Sequence, residues 1–197
     1  MTAPRAAARG YALVGVLLAL LLFAAGGFLW VSGRDGAVVG GPFTLQNSQG
    51  QTVTDRTFRG KYMLVYFGYT HCPDVCPTTL STIAQALKQL GPKAERIVPL
   101  FITVDPARDT QAVMGKYTAL FSPQIVGLTG TPAEIARVAG AYHVYFAKRP
   151  SGKAPDDYSV DHSSVIYLMG PNGKFVAPIG AAASVPRMVA DLQRLVS

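Results

Sequence analysis

Residues 10–31 read GYALVGVLLALLLFAAGGFLWV, 22 positions without a charge, and no other feature limits the fold of this 197-residue chain as strongly. About 20 apolar residues span a hydrocarbon core as a helix, so this segment is expected to be a transmembrane anchor and the remainder to fold separately. Tyr11 and Trp30 lie near its ends, where amphipathic rings favour the headgroup region. A cleaved signal peptide is the rival reading, because Arg5 and Arg9 precede the run and Ala24-Ala25-Gly26 supplies small residues. The run is longer than the roughly 7–15 residues of a signal core and continues past those small residues, which favours an uncleaved anchor. Arg5, Arg9 and the amino terminus outweigh the neutral pair Arg34 and Asp35, so residues 1–9 are expected in the cytoplasm. In a bacterium this gives a single-pass protein of the inner membrane with its domain in the periplasm, where paired thiols are oxidised unless something keeps them reduced.

Beyond the anchor, glycines at 33, 36, 40 and 41 make residues 32–42 a flexible linker, and residues 43–197 a single domain. Removing Arg5, Arg9 and Arg34 from the 18 basic residues and Asp35 from the 11 acidic ones leaves 15 against 10 in residues 36–197. The excess is scattered and accompanies no nucleic-acid motif, so it reads as a solvated surface, with no nucleic acid expected as a partner. Residues 43–45 and 51–54 flank Asn47-Ser48-Gln49-Gly50, the pattern of a hairpin. The apolar runs at 62–67 and 97–104 read as buried strands. Between them Leu80, Ile83, Leu87 and Leu90 share a helical face, starting near Cys76-Pro77 and stopping at Gly91-Pro92. A second helix is expected around Val113, Met114, Tyr117, Leu120 and Phe121, and a short strand at 124–128. The capping box Thr131-Pro132-Ala133-Glu134 opens a third helix. Strands at 165–169 and 175–179 around Pro171-Asn172-Gly173, then a helix burying Val189, Leu192 and Val196, complete the chain, with residues 148–157 as a loop insert. This order fits an α/β fold of thioredoxin type, a central mixed sheet flanked by helices, with an N-terminal hairpin added.

The two cysteines lie in His71-Cys72-Pro73-Asp74-Val75-Cys76-Pro77, between a strand and a helix. A helix amino terminus favours the thiolate, which is both nucleophile and metal ligand, and an i, i+4 pair shares one helical face. Two small buried hydrophobes are the plain alternative. A disulfide between them closes a very small loop and adds little stability. Dithiol exchange and metal binding are therefore the chemistries left open, although exchange ordinarily uses a C-x-x-C spacing. A stable metal site needs a further ligand. His71 is disfavoured because neighbouring side chains at a helix start point apart, and His143, among Tyr142, Val144, Tyr145 and Phe146, reads as a partly exposed packing residue. His162 lies in a loop feeding the strand at 165–169, which a thioredoxin-like sheet brings beside the cysteine corner. Two thiolates and an imidazole suit Cu(I), and Cu(II) with an added oxygen, while zinc accepts the same set. Asp161 is a candidate for orienting the imidazole. For Asp105 and Asp109 turn formation and helix capping are the favoured reading, with a supporting place behind the cysteines as the alternative.

At Tyr66-Phe67-Gly68-Tyr69-Thr70-His71-Cys72-Pro73-Asp74-Val75-Cys76-Pro77, at Thr103-Val104-Asp105-Pro106 with Arg108-Asp109, and at Val160-Asp161-His162-Ser163, the chain resembles the Sco/SenC family of copper proteins. That resemblance covers roughly residues 40–197. It implies a metallochaperone that binds one copper, Cu(I) or Cu(II), through Cys72, Cys76 and His162 and serves the CuA centre of cytochrome c oxidase. The implied partners are the oxidase's copper-bearing subunit and another periplasmic copper chaperone or a thiol reductant. The second function left open is thiol-disulfide exchange, with Cys72 and Cys76 as the redox-active pair that keeps the oxidase cysteines reduced. Gly170 stands where many relatives carry an aspartate, which affects only a hairpin turn.

Overall fold

The computed structural model describes residues 39–154 and 157–196. The anchor expected over 10–31, the tail before it and most of the linker lie outside the described residues. Among those described, no helix is long and apolar enough to cross a membrane.

The chain enters the fold where Gly40 N–H donates to the Ala141 carbonyl at 2.8 Å. β1 (Thr44–Asn47) and β2 (Thr52–Thr54) form an antiparallel hairpin. Asn47 sets its turn: the side-chain oxygen accepts from the N–H groups of Gln49 and Gln51 at 3.0 and 2.9 Å, and Gly50 takes φ +76°, which a side chain would resist. β3 (Tyr62–Gly68) is buried along its whole length, as its unbroken apolar run requires of a strand covered on both faces. α1 (Val75–Leu90) buries Cys76, Leu80, Ile83, Leu87 and Leu90 on one stripe and ends at Gly91, with φ +58°. β4 (Ile97–Thr103) then pairs parallel to β3, Tyr62 opposite Ile97 and Gly68 opposite Thr103.

α2 (Gln111–Ala119), β5 (Val126–Thr129) and α3 (Pro132–Ala141) follow, the last opened by the Thr131–Glu134 capping box read in the sequence. The chain continues through β6 (Phe146–Pro150), β7 (Tyr158–His162), β8 (Val165–Met169), β9 (Phe175–Gly180) and α4 (Val185–Leu195), which packs beside α1. The main sheet has seven strands in the order β2-β1-β5-β4-β3-β8-β9. β3, β4 and β5 run parallel, while β1 against β5, β8 against β3 and β9 against β8 are antiparallel. A βαβ half joined to a ββα half, helices flanking a mixed sheet, is the thioredoxin-like arrangement expected from the element order. Leu64, Val65, Tyr66, Phe67, Phe101 and Ile102 on the two central strands are all fully buried. Each such side chain contributes about 1.5–3 kcal/mol, so the strands that carry the site are among the most firmly held parts of the fold.

Two expectations need correction. Of the loop insert expected over 148–157, residues 148–150 instead belong to β6, which pairs with β7 in a ribbon, Phe146 opposite His162 and Pro150 opposite Tyr158, while 151–154 and 157 carry no regular structure. Its outward residues Lys148, Arg149 and Pro150 are exposed, so no apolar alternation announces it. α2 stops at Ala119, short of Leu120 and Phe121 around which the second helix is expected, and Leu120 is exposed whereas Met114 is buried.

Candidate metal centre

The site begins where β3 ends. After Gly68 the chain turns, Cys72 N–H donating to the Tyr69 carbonyl at 3.3 Å, and α1 begins at Val75. Cys72 therefore precedes the helix instead of sharing a helical face with Cys76. Its sulfur acts as a cap: Cys76 N–H in the first turn donates to Cys72 Sγ at 3.5 Å, whereas Asp74, at the N-cap position, makes no side-chain cap bond. The effect is the one anticipated from the helix dipole, reached by a direct hydrogen bond. Cys72 is half-buried, Cys76 is fully buried, and both are free thiols.

His162 approaches from the end of β7, not from the loop expected. Its Nε2 lies 3.5 Å from Cys76 Sγ, and its Nδ1 lies 3.1 Å from the Ser163 carbonyl. A carbonyl only accepts, so Nδ1 carries the proton and Nε2 presents its lone pair towards the sulfurs. Tyr69 and Tyr66 meet the imidazole edge-on, at 5.9 and 6.3 Å between ring centroids, which limits its rotation. Cys72, Cys76 and His162 form a group whose donor atoms all lie within 4.8 Å of one another.

The thiols differ electrostatically. The Cys76 thiol, hydrogen-bonded to Cys72, together with the nearby backbone N–H groups and His162, outweighs burial and lowers Cys72 to about 5. Cys76 is pushed far upward, first by that same shared hydrogen bond and then by burial. The direction is clear for both: one proton is held between two sulfurs and stays with the buried one. Tyr66 O–H also donates to Cys76 Sγ at 3.7 Å, and its own proton is held more tightly mainly because of burial.

Behind the corner lie the two aspartates, both fully buried. Asp109 accepts from Thr70 N–H at 3.0 Å, Thr70 Oγ1 at 2.6 Å and Thr103 Oγ1 at 2.6 Å, so it braces the turn leading to Cys72. Asp105 accepts from Arg108 Nε at 2.5 Å and from Tyr158 O–H at 2.8 Å. The favoured capping role is thus not theirs: Thr110 caps α2, its side chain accepting from Val113 N–H. Asp161 is exposed and accepts from Arg149 Nε at 2.7 Å, so the imidazole is oriented by Ser163 and not by this carboxylate. His71 is exposed, with Nδ1 3.2 Å from Thr70 Oγ1 and 3.9 Å from Asp109, and His143 is an exposed turn residue at φ +54° after α3.

Gly68, Tyr66, Tyr69, Arg108 and Tyr158 were given no individual role by the sequence reading. A Cβ on Gly68 would lie 2.6 Å from Cys76 Sγ, so only glycine lets the strand end approach the sulfur. For Gly68, Tyr66 and Tyr69 the signal available was adjacency to the cysteines, whereas Arg108 and Tyr158 lie 32 and 82 residues beyond Cys76. Chemically, two soft sulfurs and one imidazole, with Cys72 and His162 part-exposed, make a three-donor set reachable from solvent that suits Cu(I) and also fits Zn²⁺ with an open position.

Comparison with known proteins adds lineage to this geometry. The family model SCO1/SenC matches residues 31–197. The Homo sapiens mitochondrial SCO1 homologue is 43% identical over 145 residues, 73% of this chain and 48% of that protein. SenC of Rhodobacter capsulatus is 44% identical over 160 residues, 81% of this chain and 71% of that one. The solved structure of Bradyrhizobium japonicum ScoI with copper bound superposes with a TM-score of 0.73 at 46% identity, covering 80% of this chain and 99% of that one. The chain spans about half the length of its human relative. A match over nearly the whole folded part, in sequence and in backbone, leaves one assignment: the chain belongs to the SCO1/SenC family.

Proposed function

We propose that this protein is a membrane-anchored metallochaperone that takes up one copper ion through Cys72, Cys76 and His162 and passes it to the CuA centre of cytochrome c oxidase. The observation that carries this is the convergence of two sulfurs and an imidazole, its lone pair turned towards them, within 4.8 Å where the cysteine corner meets the end of β7. The copper-bound ScoI relative supports copper over zinc as the cargo. Residues 10–31 would hold the domain at the periplasmic face of the inner membrane, near the oxidase's copper-bearing subunit. Delivery needs only ligand exchange: an incoming thiolate replaces one protein ligand at a time, and no electron moves. Half-exposed Cys72 and His162 are the ligands an acceptor reaches first. Anaerobic titration of the chain with Cu(I) against a competing chelator tests the reading. His162→Ala should bind about 10-fold or more weakly, and Cys76→Ser should lose stoichiometric binding. Unchanged affinity in His162→Ala would remove the three-ligand site.

A second reading, thiol-disulfide reductase, is favoured by the asymmetry of the thiols. An accessible Cys72 with a lowered pKa attacks a partner disulfide, the mixed disulfide forms, and Cys76 displaces the partner's second thiol as the Cys72–Cys76 disulfide closes. A thiol reductant in the same compartment then returns the pair to the dithiol. Trapping of an oxidised CuA-site peptide by Cys76→Ser without copper would support it, and absence of any mixed disulfide would dismiss it.

A further inference from the structure

The ligands stand on separate platforms. Cys72 and Cys76 belong to the corner of the seven-stranded sheet, whereas His162 ends β7 of a two-stranded ribbon that is not hydrogen-bonded to that sheet. Something must register the ribbon against the corner. Tyr158, four residues before His162 on β7, is gripped at three points. Its hydroxyl donates to Asp105 at 2.8 Å, its carbonyl accepts from Arg108 Nη1 at 3.0 Å, and its ring lies 3.7 Å under the Arg108 guanidinium. Arg108 is itself held by Asp105 at 2.5 Å, and its guanidinium lies 5.9 Å from the Tyr69 ring, which meets His162. Asp105 is fully buried just beyond β4, so the clamp is anchored in the central sheet. Charge-assisted bonds between buried groups are short and directional, and a planar guanidinium fixes orientation as a lysine would not. With a rise of about 3.3 Å per residue, the clamp acts about 13 Å along the strand from the ligand, close enough for β7 to transmit it as a stiff arm.

We propose that Arg108, held by Asp105 and acting through Tyr158, is a positioning residue that registers the β6–β7 ribbon so that His162 Nε2 faces the two sulfurs. This rests on the metal-site reading for its purpose but not for its geometry. The test has two arms. In the metal-free full chain, the NOE between the His162 and Tyr69 rings should be lost in Arg108→Gln, while the NOEs between Tyr66 and Phe101 persist. Retention of the His162–Tyr69 NOE in Arg108→Gln overturns the proposal. In the second arm, Cu(I) is titrated against a chelator. Arg108→Gln should weaken binding by the same factor as His162→Ala, about 10- to 100-fold, and the double variant should be no weaker than His162→Ala alone. Additive losses mean that Arg108 acts elsewhere and overturn it. Should His162→Ala bind copper as the parent does, the three-ligand reading falls while the NOE arm still decides the clamp. If Arg108→Gln does not fold, Tyr158→Phe keeps the ring under the guanidinium and removes only the bond to Asp105. The same NOE and non-additivity criteria, at a smaller fold-change, then apply.

Discussion

Replacing Gly68 by alanine tests how tightly the strand end and the buried sulfur are fitted. Gly68 is absent from the positive-φ glycines, so alanine can adopt its backbone conformation, and the loss of chain freedom in the unfolded state should stabilise by about 0.4–1 kcal/mol. Against this, the new Cβ meets Cys76 Sγ at 2.6 Å and Phe101 Cε2 at 2.8 Å. Contacts under 3.0 Å force a shift, and the sulfur must retreat by at least 0.4 Å to reach that distance. Neither neighbour can yield cheaply, because both are fully buried and Phe101 stacks on Tyr66, which in turn contacts Cys76. Overpacking of this kind costs about 1–3 kcal/mol, and two immobile neighbours put the cost in the upper half. The steric effect wins by about 1–2.6 kcal/mol, a fall in Tm of about 2–10 °C for a domain of this size. In the proposed copper site the displaced sulfur is also a ligand, so each 1.4 kcal/mol of misfit in the loaded site would weaken copper about tenfold. Thermal unfolding by circular dichroism and anaerobic Cu(I) competition measure the two effects. An alanine variant with unchanged Tm and unchanged affinity would refute the close-fit reasoning.

Two further outcomes follow from the buried polar groups and the thiol pair. Asp109→Ala orphans three donors and should destabilise by about 3–5 kcal/mol in urea unfolding, whereas Asp109→Asn can turn its amide towards Thr70 Oγ1 and should lose about 1–2 kcal/mol; equal losses would mean that the donors find other partners. Because Cys72 is lowered to about 5, its thiolate fraction is already full near neutrality and declines only as pH falls through 5. Its alkylation by iodoacetamide should therefore be flat from about pH 6 to 8 and fall about tenfold per pH unit well below 5. A rate still climbing through pH 8 would show an ordinary thiol. Buried Cys76 should remain unlabelled until the protein unfolds, which mass spectrometry of the digested chain reads directly.

The sequence alone determined the elements whose signals are local. An unbroken apolar run made β3 a central strand, Leu80, Ile83, Leu87 and Leu90 made α1, and Thr131 with Glu134 opened α3, because period, composition and capping act within a few residues. The cysteine corner was legible for the same reason, and its resemblance to the Sco/SenC family carried His162 as well. Tertiary structure decided what lies between distant segments. The β6–β7 ribbon has an exposed, charged strand whose pairing leaves no apolar period, so its sequence has the character of a loop. Asp105 and Asp109 carry the composition of a turn, and only the packing of Tyr158, Thr70 and Thr103 around them makes them buried braces. Asp161 neighbours His162 in sequence, yet strand alternation turns it outward to Arg149 while the imidazole faces the sulfurs. Residue type and spacing specify which groups can bind a metal. Bringing an imidazole 86 residues from Cys76 to within 3.5 Å of its sulfur is the work of the sheet order and of the ribbon's register on it.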